Sequence, residues 1–75
     1  MARSEVRSEI SGRGWKLAAQ VGGRIALDDP IVILESMKME IPVLAPCAGV
    51  LLEVHVMEKD LVEEGQVVAV LETFP

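Results

Sequence analysis

Seventy-five residues make one small domain, and about half of them are apolar although Trp15 and Phe74 are the only aromatic residues. A chain this short buries only about 60% of its unfolded surface, so the interior must be built efficiently from Val, Ile, Leu and Ala. A net charge of −5 without a basic cluster argues against a nucleic-acid or anionic-membrane partner, and no apolar run is long enough to span a bilayer.

Charge is uneven along the chain: residues 1–37 carry five basic and five acidic side chains, and 38–75 carry two basic and seven acidic. Trp15, Leu17 and Ala19 alternate as a strand, with Trp15 a core or rim residue. Gly22-Gly23 marks a turn, and Asp28-Asp29 reads as a pair of solvated turn carboxylates. Ile31-Val32-Ile33-Leu34 is a short β-branched run that suits a strand, and Ile41-Pro42-Val43-Leu44 is another. Between them, Glu35-Ser36-Met37-Lys38-Met39-Glu40 places one lysine between two methionines at a turn, where its amine projects into water. Such an amine can be acylated by an enzyme.

Cys47 has no second cysteine to pair with, which points to a reducing compartment and a cytoplasmic location; no signal-peptide core is seen. Val50, Leu52, Val54 and Val56 alternate with Leu51, Glu53 and His55, and the first set is expected to face inward. His55 then points outward without ligand companions, so metal binding is not expected. Asp60 to Gly65 reads as a short strand closed by a glycine turn carrying Glu63-Glu64, and Val67 to Leu71 as the last strand. Gly and Pro recur too often for a long helix. No acid–base or nucleophilic constellation accompanies these carboxylates, so no catalytic residue is expected.

The chain also repeats itself. Shifted by 37 residues, Gly12 falls on Gly49, Leu17 on Val54, Ala19 on Val56, Ile25 on Val62, Ile31 on Val68, Leu34 on Leu71, Glu35 on Glu72 and Ser36 on Thr73. Two gap-free copies, about 4–37 and 41–74, form one core through a pseudo-twofold axis rather than a solenoid. The expected fold is all-β: a flattened barrel or sandwich of two four-stranded antiparallel sheets with quasi-twofold symmetry, one domain over 1–75 with its core in about 6–73. The same shift places Met1 on Lys38 and Lys38 on Pro75. The lysine turn is therefore the repeat mate of the meeting point of the termini, and the two are expected at opposite ends.

On these residues the chain resembles the biotinyl/lipoyl attachment domain family, in its biotin branch. Glu35-Ser36-Met37-Lys38-Met39 matches the family's Met-Lys-Met turn preceded by Glu and a small residue, and Pro42, Ala45-Pro46, Gly49 and the stretch from Asp60 to Glu72 fit its second half. The resemblance covers roughly residues 6–73. It implies that Lys38 carries covalent biotin, attached by a biotin protein ligase, with Glu35, Met37, Met39 and Glu40 recognised by the ligase and by partner enzymes. It further implies a carrier rather than an enzyme: biotin carboxylase loads the carboxyl group, and a carboxyltransferase delivers it to an acceptor, an acyl-CoA in fatty acid metabolism.

The chain departs from the family pattern where many members have a Gly-Asp turn in each half; here the turns read Gly22-Gly23 and Lys59-Asp60. Asp28 also stands where glycine is usual, while its mate Gly65 keeps it. If those sites need positive φ, Lys59 and Asp28 cost stability, Lys more than Asp. The gap-free repeat leaves no room for the protruding loop of some bacterial acetyl-CoA carboxylase carriers. Two other functions use the same features: a lipoyl carrier of a 2-oxoacid dehydrogenase or glycine cleavage system, and an unmodified interaction domain. Lipoyl members usually carry Asp before the lysine, so Met37 and Met39 favour biotin. The fit of chain to domain slightly favours a free-standing subunit over an excised one.

Overall fold

The computed structural model describes residues 2–73. Eight strands follow one another: β1 (Arg3–Arg7), β2 (Gly12–Leu17), β3 (Arg24–Ile25), β4 (Pro30–Ser36), β5 (Met39–Leu44), β6 (Gly49–Val54), β7 (Leu61–Val62) and β8 (Val67–Thr73). They form two four-stranded antiparallel sheets, ordered β1-β8-β6-β3 and β5-β4-β2-β7. Each sheet takes two strands from each half of the repeat, so neither half has a sheet of its own.

The quasi-twofold relation holds down to individual hydrogen bonds. Gly14 donates to the Asp60 carbonyl and accepts from Lys59 N–H, at 2.8 and 2.6 Å. Its mate Leu51 donates to the Gly23 carbonyl and accepts from Gly22 N–H, at 3.0 and 2.7 Å. Likewise Thr73 N–H donates to the Ala2 carbonyl, where the mates Ser36 and Met39 close the β4–β5 hairpin. Met1 and Pro75, the repeat mates of Lys38, lie outside the described residues. The one residue type kept at Gly12 and Gly49 has a steric cause: a Cβ on Gly12 would sit 2.9 Å from the Glu35 carbonyl oxygen, and one on Gly49 would collide with that of Glu72.

The central strands β4 and β8 carry the core. Ile31, Leu34, Val68 and Leu71 are fully buried, joined by Val6, Ile25, Val32, Val43, Leu51, Val56, Val62 and Ala69. Nearly all of these are repeat mates of one another. The expected inward phase of β6 needs correction: Leu51 is fully buried, whereas Leu52 is only half-buried. Pairing with β8 runs Leu51↔Leu71 and then Glu53↔Val70, so a bulge at Leu52 shifts the phase by one residue. Without it, a face that buries Leu51 would also bury Glu53 and His55; with it, Val54 and Val56 turn inward instead.

The mate position behaves the same way. Gly14 pairs with Leu34 and Lys16 with Ile33, leaving Trp15 in a bulge. Trp15 and Leu17 are therefore 43% and 47% exposed: Trp15 stands at the rim rather than in the core, and Leu17 leaves the face that it was expected to share with Ala19, which does pack against the core. A second pair of bulges falls at Ile31 and Val68, again repeat mates.

The turn residues confirm the positive-φ sites at the departures from the family pattern. Lys59 has φ 71° where its mate Gly22 has 89°, and Asp28 has 68° where Gly65 has 86°. The backbone is one geometry; only glycine adopts it without steric cost.

Leu51→Ala is expected to cost about 2–5 kcal/mol and Leu52→Ala under about 1.5 kcal/mol in urea denaturation, because only the first opens a sealed core. Lys59→Gly is expected to stabilise by about 0.5–1 kcal/mol, and Gly22→Ala to destabilise by about 1 kcal/mol or more, measured in the same assay.

Candidate functional site: the lysine hairpin

Strands β4 and β5 are joined by only two residues, Met37 and Lys38. The register above them is unbroken: Ser36↔Met39, Glu35↔Glu40, Leu34↔Ile41, Ile33↔Pro42. Met37 has φ 51° and Lys38 has φ 65°, so both central residues are left-handed, as a type I′ turn requires. That turn matches the right-handed twist of its strands but favours Asn and Gly, which tolerate positive φ. Here two long L side chains occupy it, at a cost of about 1–2 kcal/mol each. The two-residue loop was readable from the pattern of apolar runs; its left-handed backbone was not, because neither Met nor Lys signals it.

The hairpin is anchored at one level and bare above it. Leu34 is fully buried and Ile41, opposite it, is half-buried. One step outward, Glu35 and Glu40 face each other across the strands, both exposed. At the tip, Met37 is 92% and Met39 is 62% exposed, and Lys38 is exposed between them. Among the described residues, no side chain is hydrogen-bonded or ion-paired to the Lys38 amine. The structure thus brings together all five residues singled out in the sequence, with the carboxylates flanking the turn and the methionines framing the amine.

The chemistry available here is that of a single accessible primary amine on a stiff support. Among the described residues, no group of three or more His, Cys, Asp or Glu is placed to hold a metal ion. Cys47 is half-buried against the core, and His55 is exposed, its Nε2 3.8 Å from Glu53 on its own strand. Glu63 and Asp29 belong to matched turns: Ala26 N–H donates to the Asp29 carboxylate, as Glu63 N–H donates to the Gln66 side-chain oxygen. The Asp29 carboxylate and the Gln66 side chain thus close turns, and neither is part of the hairpin tip.

Comparison with known proteins agrees with this geometry. A family model described as "Biotin-requiring enzyme" matches residues 4–71. A biotinylated protein TB7.3 homolog of Mycobacterium leprae is 42% identical over 67 residues, 89% of this chain and 94% of that protein. A biotin/lipoyl attachment protein of Bacillus subtilis is 42% identical over 62 residues, 83% and 85% of the two chains. Among solved structures, the Kluyveromyces lactis urea carboxylase superposes with a TM-score of 0.91 at 35% identity, covering 96% of this chain but 6% of that enzyme. With the family model spanning most of its length and the strands, repeat and lysine hairpin in place, this chain belongs to the biotin/lipoyl attachment domain family.

Proposed function

We propose that Lys38 is the attachment point for biotin and that the domain is the biotin carrier of a biotin-dependent carboxylase. The observation that carries this reading is the Lys38 amine, exposed and without a polar partner among the described residues, at the apex of a two-residue left-handed turn between two methionines. The residues present fit the cofactor: a carboxylic acid joins an amine as an amide, and nothing in the fold must move for the amine to be reached. Lys38 Nζ would attack the biotin carboxyl group after the ligase has activated it with ATP, displacing the activating phosphate-containing group and giving up a proton as the amide forms. The positive charge of the amine is lost in the process, so the arm enters a partner's pocket without a buried charge. Biotin, once bound, supplies the carboxyl-carrying chemistry; the domain makes and breaks no bond in the carboxylation itself.

The remaining residues serve presentation. Met37 and Met39 offer flexible, polarizable contacts to whichever enzyme receives the tip. Glu35 and Glu40 keep the base of the hairpin hydrated, which holds the tip away from the domain surface. The stiff hairpin and the long arm keep the cargo near two active sites at high effective concentration, a carboxylase half and a transferase half. Biotin protein ligase, biotin carboxylase and carboxyltransferase are the partners this reading requires, in a reducing, cytoplasmic setting.

The acceptor lies beyond the domain, because the transferase and not the carrier contacts it. An acyl-CoA acceptor accords with the similarity to a long-chain acyl-CoA carboxylase structure, 25% identical with a TM-score of 0.87. The likeness to the urea carboxylase is greater, and a urea amidolyase of Saccharomyces cerevisiae is 41% identical over 68 residues, 4% of its length. Urea is therefore the acceptor we favour over an acyl-CoA.

Two measurements test this. Intact mass of the chain expressed with an active biotin protein ligase is expected to rise by one biotin, and Lys38→Ala to abolish the gain while leaving the fold unchanged. A lipoyl increment, or an unmodified chain, would overturn the proposal. The double change Met37→Asn with Lys38→Gly is expected to stabilise the hairpin by about 1–2 kcal/mol while eliminating modification, since Asn-Gly suits the left-handed turn.

A further inference from the structure

The flank of the lysine hairpin carries a second feature. An open groove is lined by Arg13, Trp15, Lys16, Glu35, Glu58 and Lys59. Three of the chain's seven basic residues gather there, on a protein whose net charge is −5. Among the described residues, none of these three cations is ion-paired within 4.0 Å, although two carboxylates line the same groove. Trp15, the single tryptophan, stands 43% exposed among them because the β2 bulge turns it outward.

The fold's own symmetry supplies a control. At the mate positions the same backbone carries Val50 for Arg13, Leu52 for Trp15, Glu53 for Lys16 and Gly22 for Lys59. The fold therefore does not need cations or an indole there. It does not need a side chain at position 59 either: Lys59 is held at φ 71°, where its mate is a glycine with nothing within 4 Å of a Cβ. Hydrogen bonds from Lys59 N–H to the Gly14 carbonyl and from Gly14 N–H to the Asp60 carbonyl fix that strained residue against β2. Strain kept at an exposed basic residue points to use rather than stability.

We propose that this groove docks an acidic segment of the biotin protein ligase, with an apolar residue of that segment against Trp15. The assignment rests on the reading of Lys38 given above. Charge complementarity and reach point to that occupant. Arg13 pairs directly with Glu35, three residues before Lys38, so a protein seated in the groove borders the hairpin. A ligase must approach an unextended lysine side chain and so lies close to the hairpin and its flanks, whereas later enzymes meet the end of a long arm. A shallow, open groove suits a protein segment and not a small ligand, which is normally enclosed over most of its surface. Exposed Trp and Arg are the side chains that contribute most at protein contacts.

The test measures biotin transfer to the full chain by a ligase that modifies the wild type. Arg13→Glu with Lys16→Glu is expected to raise KM about tenfold or more with kcat within about twofold, and to flatten its salt dependence, because steering charges act on encounter. Trp15→Ala is expected to raise KM as well. The mate-site control Glu53→Lys should leave both constants unchanged. Should the double variant fold poorly, as seen by circular dichroism, Lys16→Glu alone takes its place, since that side chain is exposed. Unchanged transfer in these variants would overturn the docking proposal alone, and an unmodified wild type would overturn the Lys38 reading with it. Saturable quenching of Trp15 fluorescence by ATP would assign the groove to a nucleotide and overturn it too.

Discussion

The two central strands must bury side chains on successive residues while remaining hydrogen-bonded to neighbours on both sides, and the rest of the molecule is arranged around that demand. β4 holds Ile31, Val32 and Leu34 out of water, and β8 holds Val68, Ala69 and Leu71. A regular strand alternates its faces, so consecutive buried residues need either cover on both faces or a break in phase. Bulges at Ile31 and Val68, and at Trp15 and Leu52 on the adjoining strands, supply the break. They also strengthen twist, which helps two short sheets wrap into one closed core. Because each bulge has a repeat mate, two copies of one motif meet across an axis with the same packing seen twice.

That core explains why the lysine can stand so far out. A tight hairpin has little stability of its own, but β4 is the best-buried strand of its sheet and lies between β5 and β2. Leu34 fixes the hairpin one step below the acidic pair, and pairing continues to Ser36 and Met39. The two left-handed residues beyond are then supported by strands that cannot slip without inverting every side chain. Strain at the tip is tolerable because the register beneath it is over-determined. For a carrier, such stiffness means that only the lysyl arm has to search.

The same backbone geometry used twice shows which residues the fold requires and which serve another purpose. Gly12 and Gly49 are identical because a Cβ at either would strike a carbonyl of the neighbouring strand. Gly22 and Lys59, or Gly65 and Asp28, differ because those sites open to solvent, where an L residue is penalised but not excluded. Asp tolerates the left-handed region better than Lys. The groove cations and the outward indole have no counterpart in Val50, Glu53, Gly22 and Leu52 at the mate positions, and these residues, with the methionines at the tip, are the ones that a partner would meet.

By itself the sequence determined the strand content, the repeat and the lysine turn. Short β-branched runs bounded by Gly and Pro cannot sustain a helix, and a gap-free shift of 37 residues leaves a pseudo-twofold core as the economical solution. That Lys38, Glu35, Met37, Met39 and Glu40 gather at one turn was legible because they lie within six consecutive residues. The tertiary structure alone decided which of Leu51 and Leu52 enters the core and that Trp15 faces water. Alternation within one strand cannot reveal a bulge; only the neighbouring strand, whose pairing skips a residue, defines it. It also decided how the halves interleave, two strands of each in each sheet, and it gathered Arg13, Lys16 and Lys59 into one groove. Lys59 is far from the other two in sequence, and the backbone hydrogen bonds that bring it to β2 join one half of the repeat to the other.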